Sequence, residues 1–174
     1  MSKHYEQMES QIRAFFAQIG QQVVIEPHGS RGPDIESVDG GLVGEIKHAK
    51  ELSRDLLAKF WRDWNDPKQS FGGKREGETL TSLEHLETWE GRLSAEALGF
   101  VAVILGQLKH GYVMKTGLDN GWLVVEDATR WLAPLNEALS FIGRAHKGLA
   151  SNIQVDASGI GYVNIRFFFD GGVT

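Results

Sequence analysis

Asp34, Glu45 and Lys47 are the residues of this sequence whose types and spacing could do chemistry together. Carboxylate oxygens are the ligands that Mg²⁺ prefers in proteins, and one or two carboxylates leave room for water and a phosphate. A lysine beside them could orient or deprotonate a water, or stabilise the charge that develops on a phosphate. The three residue types together suit metal-dependent hydrolysis of a phosphodiester.

A β-hairpin is the element that would bring these side chains together. Its turn is predicted at Asp39-Gly40-Gly41, since Asp-Gly is a strong short-range hairpin signal. The two predicted strands are Asp34–Val38 and Leu42–His48. Alternation puts Glu45 and Lys47 on one face of the second strand. Because opposed residues of antiparallel strands lie about 4.5–5.5 Å apart at Cβ, Asp34 and Glu45 could share one cation.

Hydrophobic periodicity and turn signals predict the other elements of a single α/β domain over residues 1–174. A helix over Ser2–Ile19 carries Glu9 at the margin of its buried face. The other predicted helices are Glu51–Trp64, Thr81–Leu98 and Pro134–Lys147, with a loop at Pro67–Glu78. The other predicted strands are Gln21–Pro27, Phe100–Leu105, Gly111–Thr116, Trp122–Val125, Ile153–Asp156 and Tyr162–Phe169. Asp127 is expected to cap a short helical turn.

The order helix acid, strand, Pro33-Asp34, hairpin, Glu45-Ile46-Lys47 resembles the PD-(D/E)xK nuclease superfamily, which includes restriction endonucleases and archaeal Holliday-junction resolvases. The resemblance covers roughly residues 6–50, with a looser fit of the following helix and of the strand predicted at 100–105. It implies a mixed central β-sheet flanked by helices. An αβββαβ restriction-endonuclease-like core would span about residues 4–106, followed by a C-terminal β-rich extension over about 107–174.

The resemblance also implies a ligand set for Mg²⁺, or for Mn²⁺ in its place. The implied ligands are Asp34, Glu45, the main-chain carbonyl of Ile46 and the helix acid Glu9, for which Glu6 is the second choice. Lys47 would orient the attacking water. The glycine-flanked pair Ser30 and Arg31 is similar to the resolvase loop that touches the scissile phosphate.

The charge of the chain is distributed unevenly around this motif. The formal net charge is −5, yet residues 47–75 hold eight basic residues against four acidic ones, and residues 76–98 hold six acidic residues against one arginine. The basic stretch could follow a phosphate backbone, with Lys50, Arg54, Lys74 and Arg75 as candidate contacts. The alternative is a solvated helix face with ordinary lysines. The acidic stretch could repel nucleic acid or contact another protein.

The main hypothesis is a Mg²⁺-dependent endonuclease that acts on DNA, although the sequence does not separate DNA from RNA. Since no helix-turn-helix or zinc module is recognisable, recognition would depend on substrate structure, on inserted loops or on a targeting partner protein. A homodimer is an expectation from the resemblance. The second hypothesis is a non-catalytic module on the same scaffold that interacts with nucleic acid or protein, because a fold does not fix a function.

Composition excludes several other classes of site. There is no cysteine, which rules out disulfides and thiolate metal ligands. No apolar run approaches the roughly 20 residues that a spanning helix needs, and the N-terminus does not have the pattern of a secretory signal, so we expect a cytoplasmic protein without a membrane partner. The spacing of the five tryptophans suits core packing. His28 could contact phosphate, whereas His48 should point away from Glu45.

Overall fold

A computed structural model describes residues 8–27, 32–48, 93–113, 116–145 and 149–167. These residues form one mixed six-stranded sheet in the order β1-β2-β3-β4-β6-β5. The strands are β1 (Val23–Ile25), β2 (Ile35–Ser37), β3 (Val43–His48), β4 (Asn120–Glu126), β5 (Leu149–Val155) and β6 (Gly161–Phe167). The helices are α1 (Glu9–Gln18), α2 (Ala95–Ala102), a π-helix (Val103–Val113), a 3₁₀ helix (Ala128–Trp131) and α3 (Leu132–Ala145). The predicted α/β class, with a mixed sheet flanked by helices, is confirmed.

The hairpin that carries the sequence motif forms as predicted, and its turn chemistry fixes it. Gly40 has φ 78°, a left-handed conformation that favours glycine. The Asp39 carboxylate accepts hydrogen bonds from the Gly41 N–H at 2.8 Å and from the Ser37 hydroxyl at 2.7 Å. The Ser37 hydroxyl in turn accepts from the Leu42 N–H at 3.0 Å. These contacts set the register in which β2 and β3 pair.

The parallel pairing of β3 with β4 places the motif strand inside the sheet. Every other neighbouring pair of strands in this sheet is antiparallel. Parallel neighbours need a long crossover connection, commonly helical, and the described part of this connection is α2 and the π-helix. Because β3 lies between β2 and β4, Glu45 is an internal position of the sheet rather than an edge position.

Two strand predictions are wrong, those for Phe100–Leu105 and Gly111–Thr116. The first lies in α2 and the π-helix, and the second begins within the π-helix. A continuous apolar run does not distinguish a buried strand from a helix that is buried on all sides. Every described residue from 97 to 106 is buried, so no amphipathic period was available to reveal the helix. Its start is marked by Ser94, whose hydroxyl accepts a hydrogen bond from the Ala97 N–H at 3.1 Å.

Residues assigned by the sequence to a C-terminal extension supply half of the sheet. They contribute β4, β5 and β6, and β4 pairs directly with the motif strand β3. The predicted hairpin at the C-terminal end is confirmed as β5 and β6, and the predicted helix Pro134–Lys147 is observed as α3. Asp127 does precede a 3₁₀ helix, but its side chain makes no capping hydrogen bond and its φ is 62°.

Helices cover both faces of the sheet and divide the core into two clusters. On one face, Ile12 and Phe16 of α1 pack with Ile46 of β3. On the other face, the second cluster joins Val43 of β3 to α2, the π-helix and α3. Since successive strand residues point to opposite faces, Glu45 and its neighbours at positions 43 and 47 belong to the face that the π-helix covers.

Some predictions fall outside the part of the chain that the structure describes. They are the helix at 51–64, the loop at 67–78 and the helix at 81–98 up to residue 92. Among the described helices, none has both the length and the apolar character required to cross a membrane.

Candidate metal and catalytic site

Asp34 and Glu45 lie directly opposite each other on the β2–β3 hairpin. Ile35 pairs with Gly44 in the antiparallel register, and one further step of that register joins Asp34 to Glu45. Opposed residues share a face and bring their side chains close together. The charge of Asp34 contributes to the raised pKa of Glu45, as expected for two carboxyl groups in this arrangement. The strand register therefore places these two acids beside each other on one face of the hairpin.

The Asp34 carboxylate is held by the backbone of the facing strand. Its Oδ2 accepts a hydrogen bond from the Ile46 N–H at 2.9 Å. Because a strand residue directs its N–H and C=O to the same side, the Ile46 carbonyl points toward the side on which Asp34 lies.

The Glu45 carboxylate is buried, with 7% of the residue exposed, and it contacts two polar side chains. The Lys47 Nζ lies 3.7 Å from Glu45 Oε1, and the Tyr112 hydroxyl donates a hydrogen bond to Glu45 Oε2 at 3.0 Å. Burial, followed by the neighbouring Asp34 charge, raises the pKa of Glu45 to about 8. Lys47 and the Tyr112 hydrogen bond act in the opposite direction but are outweighed.

The pKa of Asp34 is also raised, again chiefly by burial. The hydrogen bond from the Ile46 N–H and the charge of Lys47 lower it in part, whereas Glu26 adds to the increase. With the pKa of Glu45 raised to about 8 and that of Asp34 also raised, the pair favours holding a proton at neutral pH. A buried pair of this kind would release the proton if a cation replaced it.

This donor set fits a hard divalent cation. Two carboxyl groups and a carbonyl supply oxygen ligands, which are the type that Mg²⁺ and Mn²⁺ prefer. The electrostatic cost of ionising both acids is visible in their raised pKa values, and the positive charge of Lys47 compensates it only in part. A divalent cation between the carboxylates would remove that cost.

No family model, curated protein or solved structure matches this chain. The chemistry of the site therefore has to be inferred from the chain's own geometry.

Glu9 is not brought to the Asp34–Glu45 pair. Its carboxylate makes an ion pair with Arg13 one helical turn further on, at 2.6 Å. Helix α1 packs on the face of the sheet opposite to Glu45. Within the described ranges, no group of three or more His, Asp or Glu side chains has a metal-binding arrangement. Glu6, the second choice, lies outside those ranges.

The predicted contacts to nucleic acid lie outside the described residues. They are Ser30, Arg31, Lys50, Arg54, Lys74 and Arg75, and the same holds for His28. His48 is described and lies on the face opposite to Glu45, as the strand alternation predicts. Its Nε2 is 3.7 Å from Glu126 Oε1, at the end of the neighbouring strand. Of the tryptophans, Trp122 and Trp131 pack in or against the core as expected.

Tyr112 is the site residue that the sequence reasoning missed. It is separated from Glu45 by 67 positions and belongs to a segment that was predicted to be a strand. The π-helix closes its backbone hydrogen bonds five residues apart, and such segments are frequent at functional sites. No pattern in the printed sequence signals a π-helix, so only the tertiary structure reveals this contact.

Proposed function

We propose that this protein is a Mg²⁺-dependent endonuclease that hydrolyses phosphodiester bonds in DNA. The observation that carries the proposal is the buried pair Asp34 and Glu45, opposed across the hairpin with Lys47 3.7 Å from the Glu45 carboxylate. A lone buried Glu–Lys pair would be an ordinary structural ion pair. A second carboxyl beside the first makes ionisation of the pair more costly, and such raised pKa values cluster at functional sites.

The metal would be held by Asp34, Glu45 and the main-chain carbonyl of Ile46. The Ile46 N–H donates to Asp34 Oδ2 at 2.9 Å, and this contact holds the Asp34 carboxylate against the facing strand. When bound there, Mg²⁺ would supply charge neutralisation for the scissile phosphate and a site for the attacking water. Mn²⁺ has similar oxygen preferences and is expected to replace it.

Lys47 would orient the attacking water. Its side chain is 20% exposed, so the ammonium is anchored beside Glu45 while remaining accessible to solvent. An ammonium donates hydrogen bonds but cannot accept them, so the charged form would hold the water oxygen and stabilise negative charge on the phosphate. Such a group contributes about 10²–10⁴-fold to the rate when it is positioned correctly.

The finer fold assignment is part of the same proposal. The described elements run α1, β1, β2, β3, α2 continued by the π-helix, and β4; with α2 and the π-helix counted as one helical segment, this is the αβββαβ order that the resemblance implies. This order supports a restriction-endonuclease-like core, with β4 rather than residues 100–105 as its last strand. A nucleic acid is the proposed substrate because the basic stretch from Lys47 to Arg75 follows the site directly in the sequence. DNA is the proposed polymer because the resemblance to restriction endonucleases and junction resolvases implies it.

The test is cleavage of plasmid, single-stranded, branched and RNA substrates with Mg²⁺ or Mn²⁺. We expect the wild type to cleave a DNA substrate, and Glu45→Ala and Lys47→Ala to lose about 10²-fold or more of the rate. The matched controls are Asp156→Asn, a carboxyl that also bonds a tyrosine but on the other face, and the exposed Arg130→Ala. Equal rates in the wild type and both site variants would contradict the proposal, as would the absence of cleavage on every substrate.

The second candidate function is a non-catalytic module that interacts with nucleic acid or protein. Two observations favour it: the net charge of −5, and the fact that no group of three or more His, Asp or Glu side chains among the described residues has a metal-binding arrangement. It predicts binding without cleavage, and binding that Lys47→Ala leaves unchanged. If the same assay shows cleavage of RNA in preference to DNA, the proposed metal-dependent hydrolysis is retained and only the substrate changes.

A further inference from the structure

We propose that Tyr112 is a positioning residue of this site, whose hydroxyl fixes the Glu45 carboxylate against the backbone that precedes Asp34. The inference rests on the proposed function, because it concerns how the same two carboxyls are held for a metal. The hydroxyl lies 3.0 Å from Glu45 Oε2 and 3.4 Å from the Gly32 carbonyl oxygen.

The two oxygens of the Glu45 carboxylate contact different side chains. Oε1 faces the Lys47 ammonium at 3.7 Å, and Oε2 accepts the hydroxyl hydrogen of Tyr112. Since a tyrosine hydroxyl carries one hydrogen, the shorter contact is the one that receives it. Tyr112 therefore determines which way the plane of the Glu45 carboxylate is turned, and so which oxygen lone pairs face Asp34.

The Tyr112 hydroxyl also lies beside the carbonyl of Gly32. This residue immediately precedes Pro33-Asp34, so its carbonyl belongs to the segment that delivers the other carboxylate. The Tyr112 hydroxyl thus lies between the elements that carry both acids. A change in its position would alter the orientation of the Glu45 carboxylate relative to the segment that carries Asp34.

The element that carries Tyr112 is anchored in the core. Leu108 and Val113 of the π-helix are fully buried in the larger core cluster, and the Tyr112 ring packs against the same cluster. The Gly117 N–H donates to the Val113 carbonyl at 2.9 Å, which closes the end of this segment. The hydroxyl is therefore held by packing, while Tyr112 itself is only partly buried. Precise metal sites depend on such supporting contacts.

The direct test is the affinity of the full chain for Mn²⁺, measured by titration calorimetry together with thermal unfolding. The variants are Tyr112→Phe and its matched control Tyr162→Phe, which removes a hydroxyl that bonds Asp156 at 3.1 Å on the opposite face. Loss of a contact that orients a metal ligand typically weakens metal binding about 10–100-fold. We expect a loss in that range for Tyr112→Phe and an unchanged affinity for Tyr162→Phe, even where both variants unfold at a lower temperature.

A wild-type measurement keeps the inference testable if Tyr112→Phe does not fold. The chain has three tyrosines, so the ring carbons next to the hydroxyls give three resonances in a protein labelled with ¹³C-tyrosine. The resonances of Tyr5 and Tyr162 are assigned from their own Phe variants, which leaves that of Tyr112. Addition of Mg²⁺ should shift the Tyr112 resonance and leave that of Tyr162 in place.

The outcomes separate this inference from the proposed function. If the wild type binds metal and cleaves DNA, but Tyr112→Phe binds Mn²⁺ as tightly as the wild type or Mg²⁺ leaves the Tyr112 resonance unmoved, Tyr112 is a packing residue and the inference alone is wrong. If the wild type binds no divalent metal, both the proposed function and the inference are overturned.

Discussion

The two faces of the central sheet each carry a tyrosine bonded to a carboxyl, and the two pairs behave in opposite ways. On the π-helix face, the Tyr112 hydroxyl donates to Glu45 at 3.0 Å. On the α1 face, the Tyr162 hydroxyl donates to Asp156 at 3.1 Å. The distances are nearly equal, yet the pKa of Glu45 is raised to about 8, whereas that of Asp156 is lowered.

The difference comes from what else surrounds each carboxyl. Burial is the largest single influence on Asp156 and raises its pKa, but the hydrogen bonds of the β5–β6 turn together outweigh it. The N–H groups of Ser158 and Ile160 and the Ser158 hydroxyl all donate to Asp156 Oδ1, at 2.7–3.0 Å. Glu45 instead faces a second carboxyl, Asp34, in a more buried place.

A carboxylate surrounded by donors is satisfied without a metal and acts as a structural turn residue. A carboxyl that faces another carboxyl is satisfied by a proton or by a cation. The comparison therefore assigns Asp156 to the stability of the hairpin, whereas Glu45 would bind the metal under the proposed function. Each prediction below depends on that assignment.

Glu45→Gln and Asp156→Asn should separate activity from stability, and this is the largest effect we expect. Glu45→Gln should lose at least about 10²-fold in DNA cleavage because a metal ligand is removed, with little loss of stability because the repulsion by Asp34 is removed as well. Asp156→Asn should unfold more readily by about 1–3 kcal/mol, since the N–H donors of its turn lose a charged acceptor. Cleavage rates and urea unfolding would measure both.

The opposite result would break the comparison. If Asp156→Asn abolished cleavage at a temperature where it is folded, or if Glu45→Gln cleaved like the wild type, the chemistry would not belong to the π-helix face.

The pH dependence of stability should differ between the two carboxyls. Folding raises the pKa of Glu45 from its ordinary 4.5 to about 8, so the folded state keeps a proton that the unfolded chain has lost. Without metal, stability should therefore fall as pH rises from about 4.5 to about 8, by an amount on the order of 4 kcal/mol. Folding lowers the pKa of Asp156 instead. Its contribution to stability is therefore present above about pH 3.8 and is lost as the pH falls further.

Thermal unfolding of the metal-free protein between pH 3 and pH 9 would measure these changes, with Glu45→Gln as the control. In Glu45→Gln, the fall in stability above pH 4.5 should largely disappear, whereas the fall in stability at acidic pH should remain. A wild-type profile that rises steadily through this range would contradict the account.

Glu9→Gln should have the smallest effect. Helix α1 lies on the Asp156 face, and the Glu9 carboxylate is paired with the half-exposed Arg13. We expect a cleavage rate within about threefold of the wild type and a stability change below about 1 kcal/mol, as is usual for a surface ion pair. A loss as large as that of Glu45→Gln would instead support the resemblance, which makes Glu9 a ligand, against the geometry.

The sequence predicts the hairpin and the Asp34–Glu45–Lys47 arrangement well because both are local. Asp39 and Gly40 fix the turn, and alternation then fixes which side chains share a face. The helix at 95–113 could not be predicted in this way, since residues buried on every side leave no period to detect. Tyr112 and the separation of Glu9 depend on how distant segments pack, which no local pattern encodes.

Proton release on metal binding tests the central claim most directly. Calorimetric titration of Mg²⁺ or Mn²⁺ into the protein at pH 7, in two buffers of different ionisation enthalpy, gives the number of protons released for each ion bound. Because the pKa of Glu45 is raised to about 8 and both acids must ionise to bind a cation, the account predicts about one proton released by the wild type and none by Glu45→Gln. Metal binding without proton release, or equal release by the variant, would contradict it.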